Sequence, residues 1–245
     1  MHRILEVLPD QSALINRACE IVVSAIEQAI SERGICTLAL AGGGTPKPLY
    51  GQLATQDLPW SAIHIFWGDE RYVPPDHPDS NQRMARLAWL DQVPIPPENI
   101  HAMATDHPDP VVAANQHETE LRQFFQVQPP ATPTFDLILL GIGDDGHTAS
   151  LFPHTAALGV RDRLVTVGDK DGQPRLTFTV PLINAARDVL FLVAGASKTP
   201  ALTEILAAAA DAMTYPARLV QPEGTLWWLL DAAAGEKIER SEWAK

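Results

Sequence analysis

The stretch Phe135-Asp-Leu-Ile-Leu-Leu-Gly-Ile-Gly-Asp-Asp-Gly-His147 joins an apolar run to a polar loop rich in glycine. A short apolar run bounded by turn-forming residues is typical of a strand buried on both faces of a sheet. Two other segments repeat the pattern: Thr37–Ala41 runs into Gly42-Gly-Gly-Thr-Pro46, and Ile63–Trp67 runs into Gly68-Asp-Glu-Arg-Tyr72. We therefore predict three buried strands, each followed by a polar loop.

Segments with helical periodicity separate these strands. Residues 13–30 carry apolar side chains at three- and four-residue spacing, and Gly34 supplies a C-terminal stop. The remaining predicted elements are helices over 81–90, over 109–125 and from near Ser197, a strand pair over 164–167 and 175–180 joined by a turn at Asp171-Gly172, and strands over 189–194 and 226–230. This alternation predicts an α/β fold with a single doubly wound, mostly parallel (Rossmann-like) sheet and helices on both faces. We expect residues 1–245 to form one domain. Ligands bind beyond the carboxyl ends of the strands in such sheets, so we expect the site to lie where the three polar loops converge.

Composition limits the possible partners. The 245 residues include 18 basic and 30 acidic side chains, which gives a formal net charge of −12. Nucleic-acid binding depends on Lys and Arg that neutralise phosphates, so we expect no nucleic-acid partner. The two cysteines cannot build a disulfide framework, and the sequence has neither a signal-peptide pattern nor an apolar run of about 18–20 residues. We expect a soluble, cytoplasmic protein without a membrane partner, either a monomer or a small homo-oligomer.

Gly42-Gly-Gly-Thr45 lies between a strand and a helix that Pro46 begins, which suits anion binding. A tight turn without a ligand explains the same residues. Lys198 follows the turn Gly195-Ala-Ser197 and is a candidate phosphate partner, although exposed lysines in a first helical turn are common. The loop is not a P-loop, because the G-x-x-x-x-G-K-[ST] pattern is absent.

Gly141-Ile-Gly-Asp-Asp-Gly146 matches the dinucleotide fingerprint G-x-G-x-x-G. Asp144 and Asp145, however, place two carboxylates where a pyrophosphate would approach, which disfavours NAD. His147 is a better chemical candidate, because an imidazole acts as a general base near neutral pH and Asp145 can orient it. A solvent-exposed loop histidine is the alternative.

Gly68-Asp-Glu-Arg71 places two carboxylates and a guanidinium at another strand end. Arg71 can hold a phosphate or carbonyl oxygen, whereas a surface ion-pair cluster is the competing interpretation. The sequence has no nucleophile elbow, no H-E-x-x-H and no zinc-ligand spacing among its histidines. Hydrolysis by this chain is therefore expected to use an activated water, with no metal and no covalent intermediate.

Together the motifs resemble the lactonase branch of the glucosamine-6-phosphate isomerase/6-phosphogluconolactonase superfamily. The matching stretches are Leu40–Lys47, Trp67–Arg71 with Asp79-Ser-Asn81, Gly141–Pro153, Arg175–Asn184, Gly195–Lys198 and Leu226–Asp231. The resemblance implies hydrolysis of the sugar-phosphate lactone 6-phospho-D-glucono-1,5-lactone without a cofactor. It matches His147 to the general base, with Asp145 beside it. It also matches Gly43, Gly44, Thr45 and Lys198 to phosphate-binding positions, and Asp69, Arg71 and Arg175 to the lactone pocket. Gly44 stands where the related loop often has Ser.

Two alternatives remain. In the isomerase/deaminase branch the related loop ends D-G-H-I-A-F-N-E-P, and its Glu assists the ring-opening histidine; the corresponding residue here is Phe152. A phenylalanine cannot relay a proton. The second alternative, a non-catalytic sugar-phosphate sensor, would not need the His147 and Asp145 pair.

Because Phe152 replaces that Glu, we expect the protein to release no ammonia from glucosamine 6-phosphate above background. A coupled ammonia assay measures this directly. Turnover near about 1 s⁻¹, within the usual range of enzymes, would contradict the choice of the lactonase branch.

Overall fold

The computed structural model describes residues 2–238. The strands found there are β1 (His2–Leu8), β2 (Cys36–Leu40), β3 (Ile63–Trp67), β4 (Asp69–Arg71), β5 (Leu137–Leu140), β6 (Val165–Lys170), β7 (Gln173–Phe178), β8 (Asp188–Val193) and β9 (Thr225–Asp231). The α-helices are α1 (Gln11–Arg33), α2 (Lys47–Leu53), α3 (Asn81–Ala88), α4 (Pro110–Phe125), α5 (Val180–Asn184) and α6 (Thr199–Leu206). None of these helices is long and apolar enough to cross a membrane.

Six strands form the central sheet in the order β1-β9-β8-β5-β2-β3, and all of its pairs are parallel. From β2 the chain proceeds to β3 at one edge, and later from β5 to β8 and β9 in the other direction. The β2–β5 boundary is therefore the topological switch point, where ligands bind in open α/β sheets. The predicted α/β class with a mostly parallel sheet is confirmed.

The prediction of a single sheet needs a correction. The predicted strand pair is present as β6 and β7, but it joins β4 in a separate three-stranded antiparallel sheet. Asp69–Arg71, expected in a loop, is therefore the short strand β4. Gly68 alone separates β3 from β4, so the second sheet begins directly at the carboxyl edge of the first.

Alternation along the buried strands produces two apolar cores. Leu38 and Leu40 of β2 pack in one core with α1, α2 and Ala85 of α3, whereas Ala39 between them faces the other. That second core contains side chains of α4, α5 and α6 together with β6 and β7. Helices therefore cover both faces of the central sheet.

Local signals explain most element ends. Helix α1 begins after Asp10, whose Oδ1 accepts from the Ala13 N–H at 2.8 Å, and it ends at Gly34 in the left-handed conformation. Strand β1 and helix α5 were, like β4, not predicted. Strand β1 lies at the sheet edge and is only partly buried, so it lacks an apolar run. Val180, expected to end a strand, instead begins α5, because Thr179 caps the helix and Pro181 stands in its first turn.

A pair of histidines packs between the sheet and α4. His64 Nδ1 and His101 Nε2 lie 3.1 Å apart, so one ring donates to the other. The His101 ring stacks on Phe66 at 4.3 Å, and Phe124 of α4 lies 4.9 Å away. Burial, reinforced by His64 and His117 and opposed by Glu120, lowers the pKa of His101 to about 4.

This histidine pair predicts a loss of stability in acid. Unfolding restores the ordinary histidine pKa of about 6.5, so the unfolded chain binds more protons and stability falls as pH drops from about 6.5 toward 4. We expect His101→Phe, which keeps the stacking, to recover about 2 kcal/mol of that loss. The measurement is the free energy of unfolding in denaturant at about pH 7 and pH 4.5. The control is the exposed His2→Phe; an equal pH dependence in all three proteins would contradict the assignment.

Candidate active site

A cleft of about 240 Å³ lies at the carboxyl ends of β2, β3, β5 and β8. Eight of the nine predicted site residues line it: Gly43, Gly44, Thr45, Asp69, Arg71, His147, Arg175 and Lys198. The ninth, Asp145, is outside the lining but contacts His147. The expectation that the three polar loops converge is therefore confirmed.

Asp145 and His147 form one hydrogen-bonded unit. Asp145 Oδ1 accepts from the His147 backbone N–H at 3.1 Å and lies 2.5 Å from His147 Nδ1. Burial raises the pKa of the Asp145 carboxyl, but its hydrogen bonds and charge interaction with His147 outweigh this and hold the pKa below its usual value. An ionised Asp145 fixes the proton on Nδ1, which leaves Nε2 as the basic nitrogen.

The glycines of this loop make room for that unit. A Cβ on Gly143 would lie 2.0 Å from His147 Nδ1 and 2.5 Å from Asp145 Oδ1. Gly146 has φ +78°, and a Cβ there would meet Tyr215 at 2.7 Å. The loop is closed by the Gly143 N–H, which donates to the His147 carbonyl at 2.8 Å. The glycines of the G-x-G-x-x-G motif therefore allow an imidazole and a carboxylate to pack closely in this loop.

Phe152 lies directly against the candidate base. Its buried ring is 4.6 Å from the His147 ring, and Lys170 Nζ lies 5.6 Å from the centre of the Phe152 ring. The position that a Glu occupies in the deaminase branch is therefore adjacent to the histidine in this structure. An aromatic ring orients the imidazole there but supplies no proton.

Two arginines oppose each other across the second sheet. Arg71 of β4 is the register partner of Arg175 of β7. Arg71 Nη1 donates to the Asp79 carbonyl at 2.7 Å, while its buried Nε has no partner. Among residues 2–238, the Arg175 side chain has no hydrogen bond or ion pair, and burial together with Arg71 lowers its pKa. Like charges directly opposite are destabilising, so an anion in the cleft would stabilise this pair.

The acidic residues beside Arg71 differ in their surroundings. Asp69 is buried and its Oδ2 accepts from Ser150 Oγ at 2.6 Å, which ties β4 to the His147 loop. Glu70 accepts from the backbone N–H groups of Arg71, Asn81 and Gln82, at 2.7–2.8 Å, so it anchors the start of α3. The alternative of a surface ion-pair cluster is wrong for these buried carboxylates.

Asn81 lines the cleft and was not assigned a role from sequence. Its Nδ2 donates to the Asp69 carbonyl at 2.9 Å, and a Cβ on Gly42 would lie 1.9 Å from its Oδ1. Asn81 therefore spaces the glycine loop from β4. The matching stretch Asp79-Ser-Asn81 was the only sequence signal for it.

The glycine loop offers free donors. Within residues 2–238, the backbone N–H groups of Gly43, Gly44 and Thr45 have no protein acceptor. Lys198, by contrast, is partnered: its Nζ lies 2.7 Å from Asp144 Oδ1. Of the three cations that line the described cleft, Arg71 and Lys198 thus each have an acceptor, whereas the Arg175 side chain has none.

The sequence matches the family model described as glucosamine-6-phosphate isomerases/6-phosphogluconolactonase over residues 9–228. The chain belongs to this family. Two relatives named 6-phosphogluconolactonase are 58% identical over 238 residues, from Nostoc sp. (97% of this chain, 99% of the relative), and 65% identical over 234 residues, from Synechocystis sp. (96% and 98%).

Solved structures of the family have the same architecture. The 6-phosphogluconolactonase from Thermotoga maritima is 35% identical with a TM-score of 0.82, covering 94% of this chain and 99% of its own. The enzyme from Trypanosoma brucei is 31% identical with a TM-score of 0.84, covering 97% and 99%. A monomeric glucosamine-6-phosphate deaminase, 21% identical with a TM-score of 0.80 over 96% of this chain and 99% of its own, shares the fold.

Because the Arg175 side chain is unpaired, its removal is expected to preserve or raise stability but to weaken anion binding. Arg175→Met removes a half-buried cation beside Arg71, so the ligand-free protein is expected to be as stable as wild type or up to about 1 kcal/mol more stable. Phosphate at about 100 times its dissociation constant stabilises a protein by about 2.7 kcal/mol, and the variant should lose more than half of that gain.

Denaturant unfolding with and without inorganic phosphate measures both effects. The control is Arg86→Met, which removes a partly exposed arginine outside the cleft, paired with Asp91 at 3.2 Å, and should leave the phosphate response intact. An unchanged phosphate response in Arg175→Met would remove Arg175 from the anion site.

Proposed function

We propose that this protein hydrolyses 6-phospho-D-glucono-1,5-lactone to 6-phospho-D-gluconate, the second step of the oxidative pentose phosphate pathway. The observation that carries the proposal is the 2.5 Å contact between Asp145 Oδ1 and His147 Nδ1, in a cleft shared with an unpaired arginine. One group activates water and the other attracts a phosphate. The many relatives named 6-phosphogluconolactonase support the same reaction.

The phosphate of the substrate binds where the cleft has cations and free donors. Arg175, Lys198 and the N–H groups of Gly43 to Thr45 line one continuous cavity. Charge-assisted hydrogen bonds to these groups hold a dianion despite the net charge of −12. When these groups hold the phosphate, the lactone carbonyl at the other end of the substrate is directed toward His147.

His147 Nε2 takes a proton from the attacking water in the proposed mechanism. The water oxygen bonds to the lactone carbonyl carbon, and negative charge develops on the carbonyl oxygen. Arg71 or loop N–H groups stabilise this oxyanion. The bond from the carbonyl carbon to the ring oxygen then breaks, the imidazolium returns its proton to that oxygen, and the product acid ionises. Asp145 stabilises the imidazolium, and Asp69 lines the cleft close by.

The proposal requires no covalent intermediate, no cofactor and no resident metal. It favours the lactonase branch over a deaminase because Phe152, which packs on His147, cannot assist ring opening. It favours an enzyme over a sugar-phosphate sensor because a binding protein has no use for an oriented general base.

We also propose that residues 1–245 act as one domain, since the second sheet supplies Arg71 and Arg175 to the same cleft as the central sheet. Free, buried Cys19 and Cys36 support a cytoplasmic location. The acidic charge supports a small-molecule partner rather than nucleic acid, in a monomer or small homo-oligomer.

His147→Ala tests the function and the base together. A general base typically contributes 10²–10⁴-fold, so kcat should fall by about that factor while KM stays close to wild type, because the phosphate is held elsewhere. Lactone consumption is measured with spontaneous hydrolysis subtracted at each pH. Since Asp145 stays ionised and the imidazole must be neutral, wild-type kcat/KM is expected to fall on the acid side.

The control His2→Ala should leave kcat unchanged. If the folded His147→Ala protein kept more than about half of wild-type kcat, the histidine would be structural and Asp69 would become the preferred base. If wild-type protein did not accelerate lactone loss at all, the proposed function would be wrong.

A further inference from the structure

Asp144 contacts the candidate phosphate anchor from outside the cleft. Its Oδ1 lies 2.7 Å from Lys198 Nζ and accepts from Ser197 Oγ at 3.3 Å. The Asp144 side chain is 70% exposed, whereas that of Lys198 is 24% exposed. Asp144 does not line the cleft, but Lys198 does. One cation is therefore shared between an exposed carboxylate and the cavity.

We propose that Asp144 is a built-in competitor for the substrate phosphate at Lys198, and that it limits how tightly the enzyme retains its anionic product. This inference rests on the proposed function. It assigns to Asp144 a role in ligand affinity and release that is separate from the roles of Asp145 and His147.

The competition follows from charge and exposure. An exposed ion pair is worth about 0–1 kcal/mol, so a phosphate dianion that also contacts Arg175 and the loop N–H groups displaces Asp144 readily. Every anion that binds Lys198 must break this same ion pair. Asp144 therefore weakens the binding of each such anion by about the same free energy.

The reaction itself creates a need for such a competitor. Hydrolysis turns the uncharged lactone group of the phosphorylated substrate into a carboxylate, so the product carries one more negative charge than the substrate. A cleft with Arg71, Arg175 and Lys198 all free would hold that product more tightly than the substrate. Return of Asp144 to Lys198 weakens the hold on the product phosphate and so favours release.

Calorimetric titration with inorganic phosphate and with 6-phosphogluconate, at fixed ionic strength, tests the proposal without turnover. Asp144→Asn should lower the dissociation constant of both ligands by about two- to fivefold, the range expected for loss of an exposed competing ion pair. Asp162→Asn, an exposed aspartate outside the cleft lining, is the charge-matched control and should leave both constants unchanged. Melting temperatures establish that each variant is folded.

A double-mutant cycle separates direct competition from a general field effect. In the Lys198→Met background, Asp144→Asn should no longer tighten binding. Persistence of the effect in that background, an equal effect of Asp162→Asn, or no tightening by Asp144→Asn (including no phosphate binding by either protein) would overturn the proposal. Loss of the proposed function is a separate result, because it appears only as a failure to accelerate lactone hydrolysis.

Discussion

Strands β2 and β5 lie side by side in the parallel sheet, but the chain leaves them toward opposite edges. Their following loops diverge, and the space between them is the cleft. Gly68 extends this constraint to the second sheet: its N–H donates to the Leu40 carbonyl of β2 at 3.0 Å, and its carbonyl accepts from the Phe178 N–H of β7 at 2.8 Å. Glycine loop, arginine pair and His147 loop are thus held by the ends of adjacent strands, and rigid strands position a site more accurately than free loops do.

The site carries a local cluster of positive side chains, whereas the whole molecule has a negative net charge. A chain of net charge −12 repels anions at long range, yet it places Arg71 and Arg175 opposite each other with too few partners. The unpaired Arg175 side chain and the unpartnered Arg71 Nε cost stability, which an anion bound between them would return. The adjacent carboxylates Asp144 and Asp145 have different partners: Asp145 Oδ1 contacts His147 Nδ1, and Asp144 Oδ1 contacts Lys198 Nζ. The roles proposed for them differ because one faces an imidazole and the other a cation.

The sequence predicted the parts of the fold that depend on local pattern. Apolar runs located the central strands from β2 onward. Because ligands bind beyond the carboxyl ends of parallel strands, the loops after these strands were expected to share one site, and residues 43, 147 and 198 do line one cleft. Strand β4 could not be predicted, because three residues carry no periodicity and their pairing partner is more than a hundred residues away. The same limit applies to Asp144 with Lys198 and to Asp69 with Ser150, since a contact across the fold leaves no spacing in the sequence. Gly143 matched a dinucleotide motif by its letters, and only the 2.0 Å to His147 Nδ1 shows what the glycine provides.

Direct attack of water, activated by the His147 and Asp145 pair, is the central claim, and buried Asp69 is the carboxylate that would otherwise act as a nucleophile. A single turnover in water labelled with heavy oxygen, with enzyme in excess over lactone and quenched before spontaneous hydrolysis contributes, distinguishes the two. Mass spectrometry of the product and of the peptide that contains Asp69 locates the label. Direct attack predicts one labelled oxygen in the product carboxylate and none in the protein. Unlabelled product from that first turnover, with the label in the Asp69 carboxylate, would contradict it.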